Sequence, residues 1–144
     1  MHDKFINRYN FLVDWGGKQI GVSEISGLNI EIEPILVRNG DFREGTEMII
    51  PGQKNYSEVI FKRAISKSDN DFYNWISTKD LGTIERRNIT IKLLNEKQEP
   101  VVMWKLKNCF PTKYLGPILQ ANDSKIAIES LVIVHEGLTI EHLD

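Results

Sequence analysis

Short stretches rich in Ile, Val, Phe and Trp recur along this chain with apolar and polar residues in alternation, the period of half-buried strands. Phe11, Val13 and Trp15 alternate with Leu12 and Asp14. Gly16 and Gly17, free to take positive φ, then predict a tight turn into a second strand over 19–26. Leu28, Ile30 and Ile32 alternate with Asn29, Glu31 and Glu33 until Pro34 removes a ladder donor, so this strand is interrupted there and resumes over 35–38. Its predicted partner is 55–64, where Val59 and Phe61 point opposite to Glu58, Ile60 and Lys62. Residues 88–95, a polar turn at 96–99 and residues 100–110 predict a second hairpin, with Trp104 and Leu106 facing the core. After an irregular 111–125, the last strand runs over 126–135. One helix is predicted, over about 69–80: Ser68 is its N-cap, Asp69 and Asp71 sit at the positive end of the dipole, and Phe72, Trp75 and Ile76 share a face.

Between the strand at 28–38 and its predicted partner lie residues 39–54, too many for a tight hairpin turn. Connections of more than about 12 structureless residues are uncommon and usually functional, so 39–54 is a candidate contact loop. Phe42, Met48, Ile49 and Ile50 stand there among Asp41, Arg43, Glu44 and Glu47. Such apolar residues need a cover. It is either another molecule or, for Phe42 and Ile50, the end of the subunit's own fold.

Composition changes this picture little. A length of 144 residues suits one domain spanning 1–144, and 41% apolar with 26% charged residues describes an ordinary globular chain. The formal net charge of −2, with both signs spread along the chain, offers no basic field for nucleic acid. The single cysteine, Cys109, cannot close an internal disulfide, which favours a reducing compartment. Met1 to Trp15 lacks the apolar stretch of a signal peptide, and no apolar run approaches the roughly 20 residues of a membrane span, so neither secretory export nor a direct lipid anchor is expected.

No constellation marks a reaction. His2, His135 and His142 include no pair at the i, i+4 spacing of a helical zinc site, and Cys109 stands in a strand with no histidine near it in sequence. Asp69, Asn70 and Asp71 are followed by Phe72 and Tyr73 rather than by the glycine of a calcium loop, and Gly16, Gly17, Gly21 and Gly27 do not form a phosphate-binding fingerprint. No catalytic residue, metal or cofactor is expected. Carboxylates do occur inside strands, at Glu31, Glu33, Glu58 and Glu129. Their ordinary reading is a solvated strand face, and a more specific one is a water-filled face inside an assembly.

In order and spacing the segments resemble the tail tube protein family of contractile-tail phages and related injection particles, from about Asn10 to Leu138. The stretch 11–17 followed by 21–28 is similar to the family's N-terminal hairpin ending in Ser26-Gly27-Leu28. Residues 33–40 and Ile50-Pro51-Gly52 resemble the ends of its long loop, Val59-Ile60-Phe61-Lys62-Arg63 its returning strand, and Phe72 with Trp75 its helix. Residues 104–114 resemble its tryptophan strand running into an aromatic-proline turn, and 127–131 with His135-Glu136-Gly137 its last strand. Cys109, where a small residue is expected, and Ala64, where glycine is usual, depart from the pattern.

The resemblance implies a mainly β fold, a twisted two-sheet β-barrel with one short flanking helix, similar also to the haemolysin-coregulated protein of type VI secretion. It implies a structural, non-enzymatic inner-tube subunit that forms homohexameric rings stacked into a hollow tube. A sheath surrounds the tube, with baseplate and tail-terminator or cap proteins at its ends, and DNA or protein cargo passes through the lumen without specific binding. Assembly in the bacterial cytoplasm is expected. A tube-initiating or baseplate ring with the same fold is the alternative. On this reading Glu31, Glu33, Glu58 and Lys62 face the lumen, Glu129 faces it or is held in a subunit contact, and Phe42, Arg43, Glu44, Glu47, Met48, Ile49 and Ile50 form a ring-stacking loop.

Overall fold

The computed structural model describes residues 10–38, 47–122 and 124–143. Ten strands and one short helix follow in the order β1 (Phe11–Trp15), β2 (Gln19–Ile20), β3 (Glu24–Ser26), β4 (Ile30–Val37), β5 (Met48–Tyr56), β6 (Val59–Ala64), α1 (Asp71–Ile76, continued by a 3₁₀ turn Ser77–Leu81), β7 (Arg87–Leu94), β8 (Pro100–Leu115), β9 (Ile128–Val134) and β10 (Gly137–His142). All the strand pairs are antiparallel.

The long β8 organises the body. Its first part pairs with β7 on one edge and β10 on the other, and its last part, from Phe110, pairs with β9. The pairing path is β2-β1-β7-β8-β9-β6-β3, with β10 added against β8. It folds into two sheets that share β8. The fold is therefore mainly β with one short helix as expected, but among the described residues the sheet does not close into a barrel.

The bend of β8 has a local cause. Two residues of β8, Lys107 and Asn108, stand opposite the single Asn88 of β7, a bulge in which Asn108 takes φ 52° and donates its N–H to Asn88 Oδ1 at 3.0 Å. Asparagine tolerates the left-handed conformation better than other non-glycine residues. A second register shift follows Pro111, where proline withholds a ladder donor. The stretch after residue 110, expected to be irregular, thus begins as strand through Leu115, and β10 is a further strand that the expected end at 135 left out.

Between the sheets lie Val13, Trp15, Val59, Phe61, Ile89, Ile91, Leu106, Leu131, Ile133 and Leu138, capped on one side by Phe72 and Trp75 of α1. Each large side chain so buried contributes about 1.5–3 kcal/mol. The expected inward faces of β1 and β6 are both observed, as is the hairpin β7–β8. Trp104 is only partly buried, because it stands near the outer end of β8 between Ile91 and the half-exposed Ile140. Ser68 is not the helix cap: it takes φ 66° in the preceding turn, Asn70 occupies the cap position without a side-chain bond to the helix backbone, and Asp69 Oδ1 accepts the Asp71 N–H at 3.2 Å.

Gly27 explains the Ser-Gly-Leu element physically. It has φ +92°, and an added Cβ would collide with the Glu58 carbonyl oxygen. Ser57 Oγ donates to the Gly27 carbonyl at 2.9 Å, so two chain segments are stitched together here. Gly27→Ala is expected to cost about 1–3 kcal/mol in urea unfolding, through the forced left-handed conformation and the clash.

Candidate assembly surfaces

Strands β4 and β5 form a two-stranded sheet of their own. This corrects two expectations. Of the expected partner 55–64 only Asn55 and Tyr56 pair with β4, and residues 48–54, expected as the second half of a loop, complete with them the strand β5, which runs antiparallel to β4 from Tyr56 opposite Ile30 to Met48 opposite Val37. Strand β6 instead pairs with β3 and β9 in the body. The cause is tertiary: Val59, Phe61 and Arg63 are drawn into the core, and the direction change at Ser57–Glu58 separates them from β5.

The pairing of β4 and β5 shifts between Ile32 and Pro34. Gly52 faces this irregularity, and a Cβ there would lie 2.5 Å from the Glu33 carbonyl oxygen and 2.9 Å from the Ile35 side chain. Only glycine lets the two backbones approach so closely. Gly52→Ala is therefore expected to loosen the arm alone, raising amide exchange over 48–56 while the unfolding midpoint of the body stays put.

Among the described residues this arm packs on itself and scarcely on the rest of the chain. Ile30, Ile32, Ile35, Leu36, Met48, Ile49 and Ile50 all remain exposed, Leu36 and Ile49 at 62% and 68%. They lie on both faces: Ile35 opposes Ile50 on one, Leu36 opposes Ile49 on the other. An isolated hairpin is marginal in water, and contiguous exposed apolar surface is characteristic of an interface. Ile50 is on the arm and does not fold back over the subunit. At the far end Arg38 and Glu47 pair across the strands. Phe42, Arg43 and Glu44 lie outside the described residues.

The charged residues expected to face a lumen divide. Glu31 and Glu33 are exposed on β4, Glu58 is exposed between β5 and β6, and Lys62 is half-exposed on the outer face of β6 with its Nζ 3.6 Å from Glu24. Glu129 is different. It is only 6% exposed, so its expected place on a watery face is wrong. Glu129 Oε1 accepts Arg63 Nε and Nη2 at 3.3 Å each, and Glu129 Oε2 accepts the Tyr114 hydroxyl at 3.2 Å.

Arg63, which the sequence did not single out, is the centre of this cluster. Its Nη1 donates to Asp69 Oδ2 at 2.8 Å and its guanidinium lies 4.0 Å from the Phe72 ring centre. One buried cation thus joins β6, β9 and the turn before α1, with Tyr114 adding β8. Burial pushes the Tyr114 hydroxyl up, and the Glu129 charge adds to this, so it stays a neutral donor. Burial opposes ionisation of Asp69, but the Asp71 N–H and the Arg63 guanidinium outweigh it and hold the carboxyl below its ordinary value. Arg63 following the apolar Val59 and Phe61 at period two was the one signal in the sequence that could have flagged it.

On the other side of α1, Trp15 meets Trp75 edge-on at 5.0 Å, Trp75 Nε1 donates to the Glu85 carbonyl at 2.8 Å, and Arg87 covers both rings. Among the described residues no cluster of histidine, cysteine or carboxylates could hold a metal ion. Burial pushes the Cys109 thiol up to about 12, which keeps it protonated.

The profile of the T4-like virus tail tube protein gp19 matches residues 7–139. The chain belongs to this tail tube family. Among solved structures, a chain of the sheath-tube complex of an extracellular contractile injection system, PVC, in the extended state is 25% identical with a TM-score of 0.89, covering 98% of this chain and 94% of that one. A chain of the anti-feeding prophage tube-terminating cap is 28% identical with a TM-score of 0.90, covering 99% and 95%. Hcp1 from Flavobacterium johnsoniae shares the fold, with a TM-score of 0.58 at 13% identity over 93% of this chain and 96% of that chain. No curated protein matches significantly. The tail tube family is one of structural proteins of phage tails and contractile injection particles. Among the described residues of this tail tube protein no helix is long and apolar enough to cross a membrane.

Proposed function

We propose that this chain is the repeating inner-tube subunit of a contractile tail or injection particle, assembling as hexameric rings that stack into a hollow tube and serving no catalytic purpose. The single observation that carries this is the β4–β5 arm, a sheet with apolar residues exposed on both faces, in a member of a tail tube family. Such an arm needs a cover. A second copy supplies it, and a head-to-tail contact between copies propagates into a filament. The arm residues Met48, Ile49 and Ile50, with Glu47 and the loop residues Phe42, Arg43 and Glu44, are assigned to contact between successive rings. Glu31, Glu33, Glu58 and Lys62 are assigned to the channel wall, where three carboxylates against one ammonium would repel a passing polyanion.

The sheath-tube complex, the cap and the baseplate among the related structures support a sheath around the tube and cap and baseplate proteins at its ends. DNA or protein cargo would pass through the lumen without specific binding. Assembly would take place in the bacterial cytoplasm, without a lipid anchor on this chain. The likeness to the tube-terminating cap and to the anti-feeding prophage baseplate favours, as a second reading, a ring at one end of the tube.

Negative-stain microscopy of the purified protein separates these. Long tubes are expected for a repeating subunit and isolated rings for an end component; a protein that stays monomeric at high concentration overturns both. Replacing residues 36–49 by an Asn-Gly turn should leave a folded body, since Leu36, Met48 and Ile49 are exposed and Tyr56, the β5 residue that packs on the core, is kept, and should abolish tubes. Normal tubes from that variant would remove the arm from ring stacking.

A further inference from the structure

His135 sits at the corner between β9 and β10, and neither of its ring nitrogens reaches water or finds a hydrogen-bond partner among the described residues. Its ring packs on Tyr56, the last residue of the arm strand β5, at 5.0 Å between centres and a tilt of 48°. Tyr56 is the arm residue that joins the core. Among the described residues the stitch at Gly27, Ser57 and Glu58 and the chain itself also tie the arm to the body. An imidazole whose nitrogens are shut from water, with only the Gly137 backbone near enough to favour its charge, is accommodated when neutral and poorly accommodated as a cation, which needs two hydrogen-bond acceptors or water. We propose that the His135–Tyr56 contact is a proton-sensitive latch that sets the direction of the β4–β5 arm, holding it against the body while the ring is neutral and releasing it when the ring is charged.

The surrounding charges do not rescue a protonated ring. Strand β5 brings Lys54, whose Nζ lies 5.7 Å from the centre of the Tyr56 ring, and a cation there disfavours a second one. The adjoining Glu136 is engaged elsewhere, by Arg86 at 3.0 Å and by Asn108 Nδ2 at 3.1 Å. Strand β8 brings Lys107 opposite Gly137, and the start of β6 brings Glu58, none of them bonded to the ring. Burial accordingly lowers the proton affinity of His135, against a smaller opposing effect of the Gly137 backbone. The sign follows: with the folded value below the ordinary 6.5, the latch holds above that pH and weakens as pH falls below it, when the released state binds the proton more readily.

For tube formation the consequence rests on the reading of the arm as the ring-stacking element, so the test reads the arm first. Hydrogen exchange of the unassembled protein, corrected for the intrinsic pH dependence of exchange, is compared at about pH 7.5 and about pH 5. Residues 48–56 are expected to exchange about tenfold faster at the lower pH relative to β9, and His135→Phe, which keeps a ring against Tyr56, should abolish the difference. A pH-independent arm in the wild type, or the same pH effect in His135→Phe, overturns the latch. Should that variant fold poorly, NMR titration of the wild type decides: the Tyr56 ring signals must move together with the His135 titration, below the range of an unperturbed histidine, and His135 titrating without Tyr56 refutes the proposal. Tubes are scored separately. If the arm loosens through His135 yet tubes form equally at both pH values, the latch stands and the stacking assignment falls.

Discussion

Trp75→Ala is expected to destabilise the protein by about 3–5 kcal/mol, a large share of the roughly 5–15 kcal/mol that holds a domain of this size together. Trp75 is fully buried, and its removal opens a cavity where three things meet: the edge of Trp15, the guanidinium of Arg87 and the backbone carbonyl of Glu85. The Glu85 carbonyl loses its donor at the same time. Because α1 is only six residues long and cannot hold its shape without tertiary packing, the helix should detach rather than close the gap. Urea unfolding followed by circular dichroism measures this, and Trp104→Ala is the internal control. Trp104 is partly buried at the outer end of β8, so its loss should cost less than that of Trp75. Equal costs would mean that α1 is not the lid of this core.

Arg63→Ala is expected to cost a comparable amount, about 3–5 kcal/mol, for an electrostatic reason. It leaves Glu129, 6% exposed, without its buried cation and with the Tyr114 hydroxyl still donating to it, and it strips the Phe72 ring of its stacked cation. Breaking a buried pair leaves a charge without compensation, whereas replacing both charges with apolar groups of similar volume is often harmless. The double variant Arg63→Met with Glu129→Leu should therefore recover most of the stability lost by Arg63→Ala. A double variant no better than the single one would show that the charges themselves are required. The same cluster predicts acid sensitivity. Asp69 titrates below its ordinary 3.8 in the folded chain, so its contribution is complete above about pH 4 and is lost as pH falls through the folded value; Asp69→Asn should flatten the stability curve in that window.

How far the fold could be read in advance follows from which forces act locally. The inward faces of β1 and β6, the β7–β8 hairpin and the apolar face of α1 were legible because burial imposes a period on the residues themselves: Val13 with Trp15, Val59 with Phe61, Phe72 with Trp75. The family was legible because turn glycines and the aromatic-proline stretch fall in a characteristic order, and Gly27 shows why one of them is needed. Strand β5 was missed because Met48-Ile49-Ile50-Pro51-Gly52 carries no alternation and contains two residues that usually break strands; both serve the irregular pairing with Pro34 and Glu33.

Of the candidate surface, Glu31, Glu33, Glu58 and Lys62 could be singled out from polarity inside strands, but polarity does not say what a side chain faces. Glu129 looks the same in sequence as Glu31, and only the arrival of Arg63 from β6 and Tyr114 from β8 makes it an internal ion-pair partner. Likewise the alternation of Ile30 and Ile32 foretold a buried face, and the structure leaves both exposed because β4 and β5 part from the body after Gly27. By itself, then, the sequence determined the inward faces of β1 and β6, the β7–β8 hairpin, the apolar face of the helix and the tail tube family, all of which rest on short-range patterns of burial and turn chemistry. Only the tertiary structure decided which strands pair, that the sheet stays open among the described residues, that an apolar arm stands off the body and that Arg63, Glu129 and His135 meet their neighbours, since those depend on contacts between residues far apart in the chain, where no local pattern carries the information.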